Sequence, residues 1–335
     1  MTTRFFGDFR FRHEVIDTEN SPSRSRQRVC AHFGVEVGVS PVTKVRFKLS
    51  TGGDDPISCN QTIGEAFTTK NMRIDLAYAE LTPSGLNRSS LKIGKTDLPF
   101  WKPGKSELVW DSDLNPEGMT GRYRLEGTNI RAELTAGGYL VEERAEHDNT
   151  YLTAGQMAVH IESSHANRYL SLGAAYYHYG NIRGFAPIYD DSGFGNRLDS
   201  SGVFLRDYRL VQAGLEAMLF VADVPLLLAV DAVANTAVSS ARIGWLIGGR
   251  FGDAEEVGNL EFWYNYRRVE SDAVFGTFTD SDFAGGGTDG RGHELGGMLV
   301  IGNGLSAAAT FFHNQTAVNG GPTYQRLQLD FRVRF

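Results

Sequence analysis

The sequence predicts an all-β fold, a transmembrane antiparallel β-barrel of about sixteen strands with short turns at one end and long loops at the other. Three observations predict it. Apolar and polar residues alternate with a period of two from end to end. The connections between the alternating segments sort by length. The chain ends on one more alternating segment, closed by Phe335.

The bulk numbers bound this reading. A chain of 335 residues suits one large barrel, because a closed sheet needs no second core. Mean hydropathy is −0.27, but membrane strands dilute apolar residues one in two, so averages miss them. No window approaches the roughly 20 apolar residues of a membrane helix. The longest apolar run, 224–234, is broken by Pro225 and Asp231. Glycine is abundant at 39 and proline scarce at 10, which suits long strands with bends. The net charge of −7 argues against nucleic acid as a partner. Two cysteines, Cys30 and Cys59, are too few for a disulfide scaffold. The opening MTTRFFGDFR carries no secretory signal, so the expectation is that a native signal preceded it and was removed.

The elements follow in order. In the first, Phe5, Phe9, Phe11 and Val15 fall on odd positions, against Arg4, Asp8, Arg10, Arg12 and Glu14 on even ones. A strand sends neighbours to opposite faces, so one face is apolar and the other charged. The second sets Val29, Ala31, Phe33, Val35, Val37 and Val39 against Arg28, Cys30, His32 and Glu36. The third sets Val45, Phe47 and Leu49 against Lys44, Arg46 and Lys48. Further strands are expected near 72–82, 91–97, 121–127, 131–141, 151–162, 169–179, 205–220, 224–235, 241–252, 259–270, 293–302, 305–313 and 324–335. A soluble sandwich would alternate too, with its polar face outside.

Connections decide between the two. Those after even strands are short, at 41–43, 83–90, 128–130, 163–168, 221–223, 253–258 and 303–304. Those after odd strands are mostly long, at 17–26, 52–71, 98–120, 142–150, 180–204, 271–292 and 314–323, with only 236–240 short. Short periplasmic turns and long extracellular loops are the layout of an outer-membrane barrel. In the last strand Leu327, Leu329, Phe331, Val333 and Phe335 alternate with Gln328, Asp330, Arg332 and Arg334. On a soluble protein such an edge would invite aggregation.

Five stretches then carry a resemblance: 6–12 (FGDFRFR), 50–58 (STGGDDPIS), 110–118 (WDSDLNPEG), 280–288 (DSDFAGGGT) and the tail 330–335. In this order they resemble the bacterial "putative porin" family over the whole chain. The resemblance implies a sixteen-stranded barrel, passive solute transport and a terminal aromatic residue read by the assembly machinery. It implies no particular solute. Related sixteen-stranded porins are often trimers, which leaves a homotrimer open.

A barrel of this size leaves an aqueous bore whose lining charges set its selectivity. Arg10, Arg12, Arg28, Lys44, Arg46 and Lys48 share the polar parity on three consecutive strands. They are expected to form a basic inner wall, extended by Arg122, Arg124 and Arg131. The bland alternative is scattered charge balanced by Asp8, Glu14, Glu36 and Asp75. The 98–120 loop is expected as a constriction loop inserted into a single barrel domain spanning 1–335. It carries the acids Glu107, Asp111, Asp113 and Glu117, with Trp101 and Trp110 as anchors. An acidic loop facing a basic wall would set a transverse field; an ordinary surface loop would not. Asp111, Asp113, Asn115 and Glu117 also mimic the start of a calcium loop. Pro116 stands at the glycine position and Arg122 at the final acid, so no metal is expected there. Asp280 and Asp282 in the glycine-rich loop are weighed the same way. Cys30 on the inner wall and Cys59 in the second long loop could meet in an oxidising compartment.

Catalysis finds little support. Eight histidines sit in no recognisable metal or nucleophile spacing, and His165 is read as solvent-exposed in a short turn. No cofactor is expected. Tyr123, Tyr176, Trp245, Phe262, Tyr264, Tyr266 and Phe311 share the outward parity and read as lipid-facing residues and girdles. The leading expectation is therefore an outer-membrane diffusion channel for small polar solutes and ions, a porin and not an enzyme, with lipid around it. The alternatives are a receptor barrel whose long loops 52–71, 180–204 and 271–292 hold a ligand, and an outer-membrane enzyme.

Overall fold

The computed structural model describes residues 1–85, 88–163 and 168–335. Among these, sixteen antiparallel strands close into a barrel. They are β1 (Thr2–Thr18), β2 (Arg24–Ser40), β3 (Thr43–Thr51), β4 (Met72–Leu81), β5 (Ser89–Lys95), β6 (Glu117–Glu126), β7 (Ile130–Glu142), β8 (Thr150–Glu162), β9 (Tyr169–Gly180), β10 (Tyr208–Val221), β11 (Val224–Asn235), β12 (Ile243–Gly252), β13 (Leu260–Val269), β14 (Gly290–Gly302), β15 (Leu305–Gln315) and β16 (Thr323–Arg334). Each pairs with its neighbours in the chain, and β16 returns to pair with β1 from Asp8↔Arg334 to Thr18↔Tyr324. A two-residue strand, Gln61–Thr62, adds to β2 from inside the second long loop.

The period-two pattern becomes two unlike faces. Outside, Phe9, Val211, Leu215, Leu228, Val230, Ile247, Phe262, Leu295, Phe311, Leu327, Leu329 and Phe331 stand exposed. Inside, Arg12, Glu14, Gln156, Gln212, Glu216, Asp231, Arg326, Gln328 and Asp330 are buried. A water-soluble body buries apolar groups and exposes polar ones; this molecule does the reverse, as a lipid-facing barrel must. Tyr123, Tyr176, Phe262, Tyr264 and Phe311 are exposed as their parity demands. Trp245 and Tyr266 are half-covered because their rings lie 5.4 Å apart.

The loop boundaries move. The first loop, expected over 17–26, shrinks to 19–23, because β1 and β2 run for 17 residues each. The third long loop spans 96–116 and not 98–120, since β6 already pairs with β5 from Glu117↔Lys95. The expected turns 83–90 and 163–168 include residues outside the described ones, His165 among them.

The 96–116 loop does not stay on the rim. Trp101 N–H donates to Gln156 Oε1 at 2.7 Å, and Gln156 Nε2 donates back to the Trp101 carbonyl at 2.9 Å. Gly104 N–H donates to Glu216 Oε2 at 2.6 Å. Gln156 and Glu216 lie on the inward face of β8 and β10, so the loop lies against the inner wall. Two glycines permit this approach. Gly104 has φ +59°, and a Cβ there would sit 2.6 Å from Ala229 Cβ. A Cβ on Gly173 would meet the Trp101 ring at 2.6 Å.

A second inward segment follows β13. Asp272, Ala273, Val274, Phe275, Thr277, Thr279, Asp280 and Phe283 are buried. Phe275 joins Phe100, Leu108 and Trp110 of the first inward loop in one apolar cluster. Tyr139, Tyr177, Tyr179 and Tyr208 on the wall complete it, with Ile182 and Phe204 of the 181–207 loop. Burying Phe100, Leu108, Trp110 and Phe275 contributes on the order of 6–12 kcal/mol before ordering costs. This internal core holds two loops inside the barrel, well away from the lipid-facing surface.

Candidate functional site

Between the inward loops and the wall lies a cavity of about 700 Å³ that reaches down to the turn at 253–255. Its lining carries charges of both signs. Glu107, Asp111 and Asp113 come from the first inward loop, and Asp280 and Asp282 from the second. Arg10 and Arg12 come from β1, and Arg332 and Arg334 from β16.

The two sides are tied together by ion pairs at the seam. Arg12 makes a bidentate pair with Asp330, at 2.7 and 2.9 Å, and reaches Asp282 at 3.2 Å. Arg326 reaches Glu14 at 2.5 Å and Asp282 at 2.9 Å. Glu14 also holds Arg26. Burial alone would raise the Asp282 carboxyl, but Arg326 and Arg12 hold it well below the usual carboxylate range. On the far side Arg267 pairs with Asp280 at 2.8 Å, and its guanidinium lies over the Phe283 ring.

The loop acids meet differently. Carboxylate oxygens of Glu107, Asp111 and Asp280 lie within 4.8 Å of one another. Burial, reinforced by Asp280, pushes the Glu107 carboxyl up to about 7. Burial, then Glu107, Asp113 and Asp280, raise Asp111 well above its ordinary value. Backbone bonds lock the junction. Asp111 N–H donates to the Phe278 carbonyl at 2.9 Å, and Ser281 N–H donates to Asp111 Oδ2 at 3.0 Å. Thr279 Oγ1 donates to the Glu107 carbonyl at 3.0 Å.

The expected basic residues separate into groups. Arg10 and Arg12 line the cavity. Arg10 donates to Asn60 Oδ1 at 2.9 Å and, among the described residues, has no carboxylate in ion-pair range. Arg28 lies 3.7 Å from Glu14 and donates to the Asn60 carbonyl. Arg46 lies over the Phe6 ring, and Lys48 pairs with Asp75 at 2.5 Å. Arg122 and Arg124 share Glu133, at 3.1 and 2.8 Å. Lys44, near the 41–42 turn, and Arg131, near the 127–129 turn, are exposed and outside the cavity. Glu14 and Asp75 do balance charge as the bland alternative held, but Asp330, Asp282 and Glu133 do most of it.

Glu117 is a correction. It is the first residue of β6, shares the outward parity of Met119 and pairs with Lys95 at 2.9 Å. It stands on the outer rim, so it belongs neither to the inward loop nor to a calcium loop. Asn115, which donates to Asp75 Oδ1, is also turned away from Asp111. Cys30 and Cys59 form a disulfide.

Sequence reasoning missed the network of Glu14, Asp282, Arg326 and Asp330 as one unit. Its signal was the inward parity of Arg326, Gln328 and Asp330 on the last strand, beside Arg12 and Glu14 on the first. A closed barrel makes those strands neighbours. Nothing in the sequence marked the 270–289 loop as inward.

The family model described as "Putative porin" matches residues 12–189 and 212–335. No curated protein matches by sequence. Similar solved structures include OprB of Pseudomonas putida, 10% identical, TM-score 0.64, with 99% of this chain and 94% of that one covered. OmpF of Salmonella typhi, in complex with daunomycin, is 11% identical with TM-score 0.59, covering 99% and 97%. The outer membrane channel DcaP of Acinetobacter baumannii is 11% identical with TM-score 0.54, covering 99% and 97%. At such identities the likeness shows the fold alone.

Proposed function

We propose, from the premise that this chain belongs to the "Putative porin" family and is an outer-membrane channel barrel, that it lets small polar solutes and ions diffuse passively through its charged bore. The observation that carries this reading is the cavity itself. Open space runs beside two inward loops and is lined by both carboxylates and guanidiniums. Such an arrangement favours polar solutes with dipoles and disfavours apolar ones. Arg10, Arg12, Arg28, Arg46, Lys48 and Arg122 serve as the basic wall. Lys44, Arg124 and Arg131 serve as basic residues of the periplasmic mouth. Glu107, Asp111 and Asp113 serve as the acids of the constriction, and the inward 96–116 loop sets its width.

Asp280 is paired with Arg267, and Asp282 with Arg12 and Arg326, while Arg10 faces the cavity without an ion pair. A weak anion preference follows. The purified protein in a planar bilayer should give stepwise ion conductance. Replacing residues 105–112 by a short glycine-serine link should raise it. A protein that inserts, keeps its β-content and conducts nothing would remove the channel reading. The apolar cluster of inward loops also fits a receptor barrel, which that silent outcome would favour.

A further inference from the structure

The second long loop does not leave the barrel after β3. Cys59 is bonded to Cys30 on the inner face of β2, with the two Cα atoms 5.3 Å apart. Gln61 and Thr62 pair with Val29 and Arg28. Thr51 Oγ1 donates to the Cys59 carbonyl at 2.9 Å, and Ala31 N–H donates to Thr51 Oγ1 at 2.9 Å. The segment is thus stapled to the wall on both sides of Asn60.

Asn60 is the residue this staple delivers to the bore. Its Nδ2 donates to Ser58 Oγ at 3.1 Å, which turns Oδ1 toward Arg10, 2.9 Å from Nη2. Its carbonyl accepts from Arg28 Nη2 at 3.3 Å. Asn60 and Arg10 both line the cavity. Arg12, Arg250, Arg267 and Arg332 of the cavity lining each meet a carboxylate, but Arg10 meets this amide oxygen. A neutral acceptor removes some of the guanidinium's hydrogen-bonding capacity without cancelling its charge.

We infer that Asn60, held by the Cys30–Cys59 strap, is a specificity-determining residue: it occupies Arg10 with a neutral oxygen and so limits how strongly the bore draws small anions. This rests on the channel reading above. Cys30 and Cys59 are positioning residues for Asn60, and Cys59 Sγ also lies 3.6 Å from Arg10 Nη2.

The test is the reversal potential of single channels in a tenfold potassium chloride gradient. Asn60→Ala frees Arg10 and should raise the chloride-to-potassium permeability ratio about twofold. Asn60→Asp sets a carboxylate on Arg10 and should lower it about fivefold, the weight of one unit charge at contact range in water. Cys30→Ser with Cys59→Ser should move the ratio in the direction of Asn60→Ala. On that background Asn60→Ala should add nothing. Conducting channels whose ratio ignores both Asn60 variants would overturn the inference and leave the channel intact. Full additivity of Asn60→Ala and the cysteine pair would overturn the strap. A silent wild-type protein would overturn the channel reading instead. If the cysteine variant does not fold, the two Asn60 variants, which keep the disulfide, still decide.

Discussion

The junction of the two inward loops should make the bore sensitive to pH near neutrality, through Glu107. Its carboxyl is pushed up to about 7 by burial and by the neighbouring Asp280. Between pH 6 and pH 8 such a group passes from about one tenth to about nine tenths ionised, a gain of about 0.8 of a charge. At about 4 Å from a passing ion that charge is worth about 1 kcal/mol in water. The cation-to-anion permeability ratio should therefore rise about three- to fivefold over this interval at low salt. Lys102, the hydrogen bond that Ser112 N–H donates at 2.8 Å, and Arg267 favour the ionised form but offset the burial only in part. No histidine lines the cavity among the described residues, and Asp111, also raised by burial and by Glu107, is the loop acid whose ionisation is linked to that of Glu107. The sign for stability runs the other way. Because the folded value lies above the ordinary 4.5, the junction's contribution is fully present below pH 4.5 and fades as pH rises through about 7. The assay is the reversal potential at pH 6 and pH 8 for wild type and Glu107→Gln. A wild-type ratio that does not move, or a shift that survives in Glu107→Gln, refutes the reasoning.

Three further outcomes follow from the geometry. Arg10→Gln should lower the chloride-to-potassium ratio about three- to fivefold, since one charge without an ion pair leaves the wall; reversal potentials read it directly. Leu329→Lys puts an ammonium on the lipid face and should cost about 2–4 kcal/mol, seen as a lower urea midpoint in lipid vesicles. Gln328, one residue away, points inward and should tolerate lysine better. Asn196 receives Gly276 N–H at 2.7 Å and donates to the Ser271 and Val274 carbonyls at 2.7 and 2.9 Å. Asn196→Ala should cost about 2–4 kcal/mol of loop anchoring, measured as faster proteolysis within 181–207 and 270–289 on otherwise intact barrels.

The barrel wall was legible because a strand has only two faces and one of them meets lipid. That constraint writes Phe9, Phe11, Val29, Ala31, Leu327 and Leu329 into the sequence at a fixed interval. The polar face follows by default, which is why all nine basic candidates fall on inward parity. The interior beyond the wall was not legible. Tyr177 and Tyr179 sit at inward positions and bury against loop residues, which a period-two reading cannot distinguish from more lumen wall. The 270–289 loop is rich in glycine and aspartate, the usual composition of an exposed loop. It turns inward because Phe275 meets the rings of Tyr179, Phe204 and Tyr208, 5.2–5.4 Å away in space but far off in the chain. Glu117 was misplaced because the alternation in β6 begins earlier than its hydrophobic residues suggest, with Gly118 and Gly121 blurring the pattern.

The seam between β1 and β16 sets the order in which the molecule can be made. Every other strand pairing joins chain neighbours and can form as a local hairpin. The last one joins Arg12 to Asp330 and Arg326 to Glu14, partners 318 and 312 residues apart. Until the final residues have been exported, both outer strands keep open rows of backbone donors and acceptors, which lipid cannot satisfy. A chain cut short before Thr323 therefore has no ring to complete. Closure then brings four buried charges together at once, so assembly is all-or-none with respect to chain length.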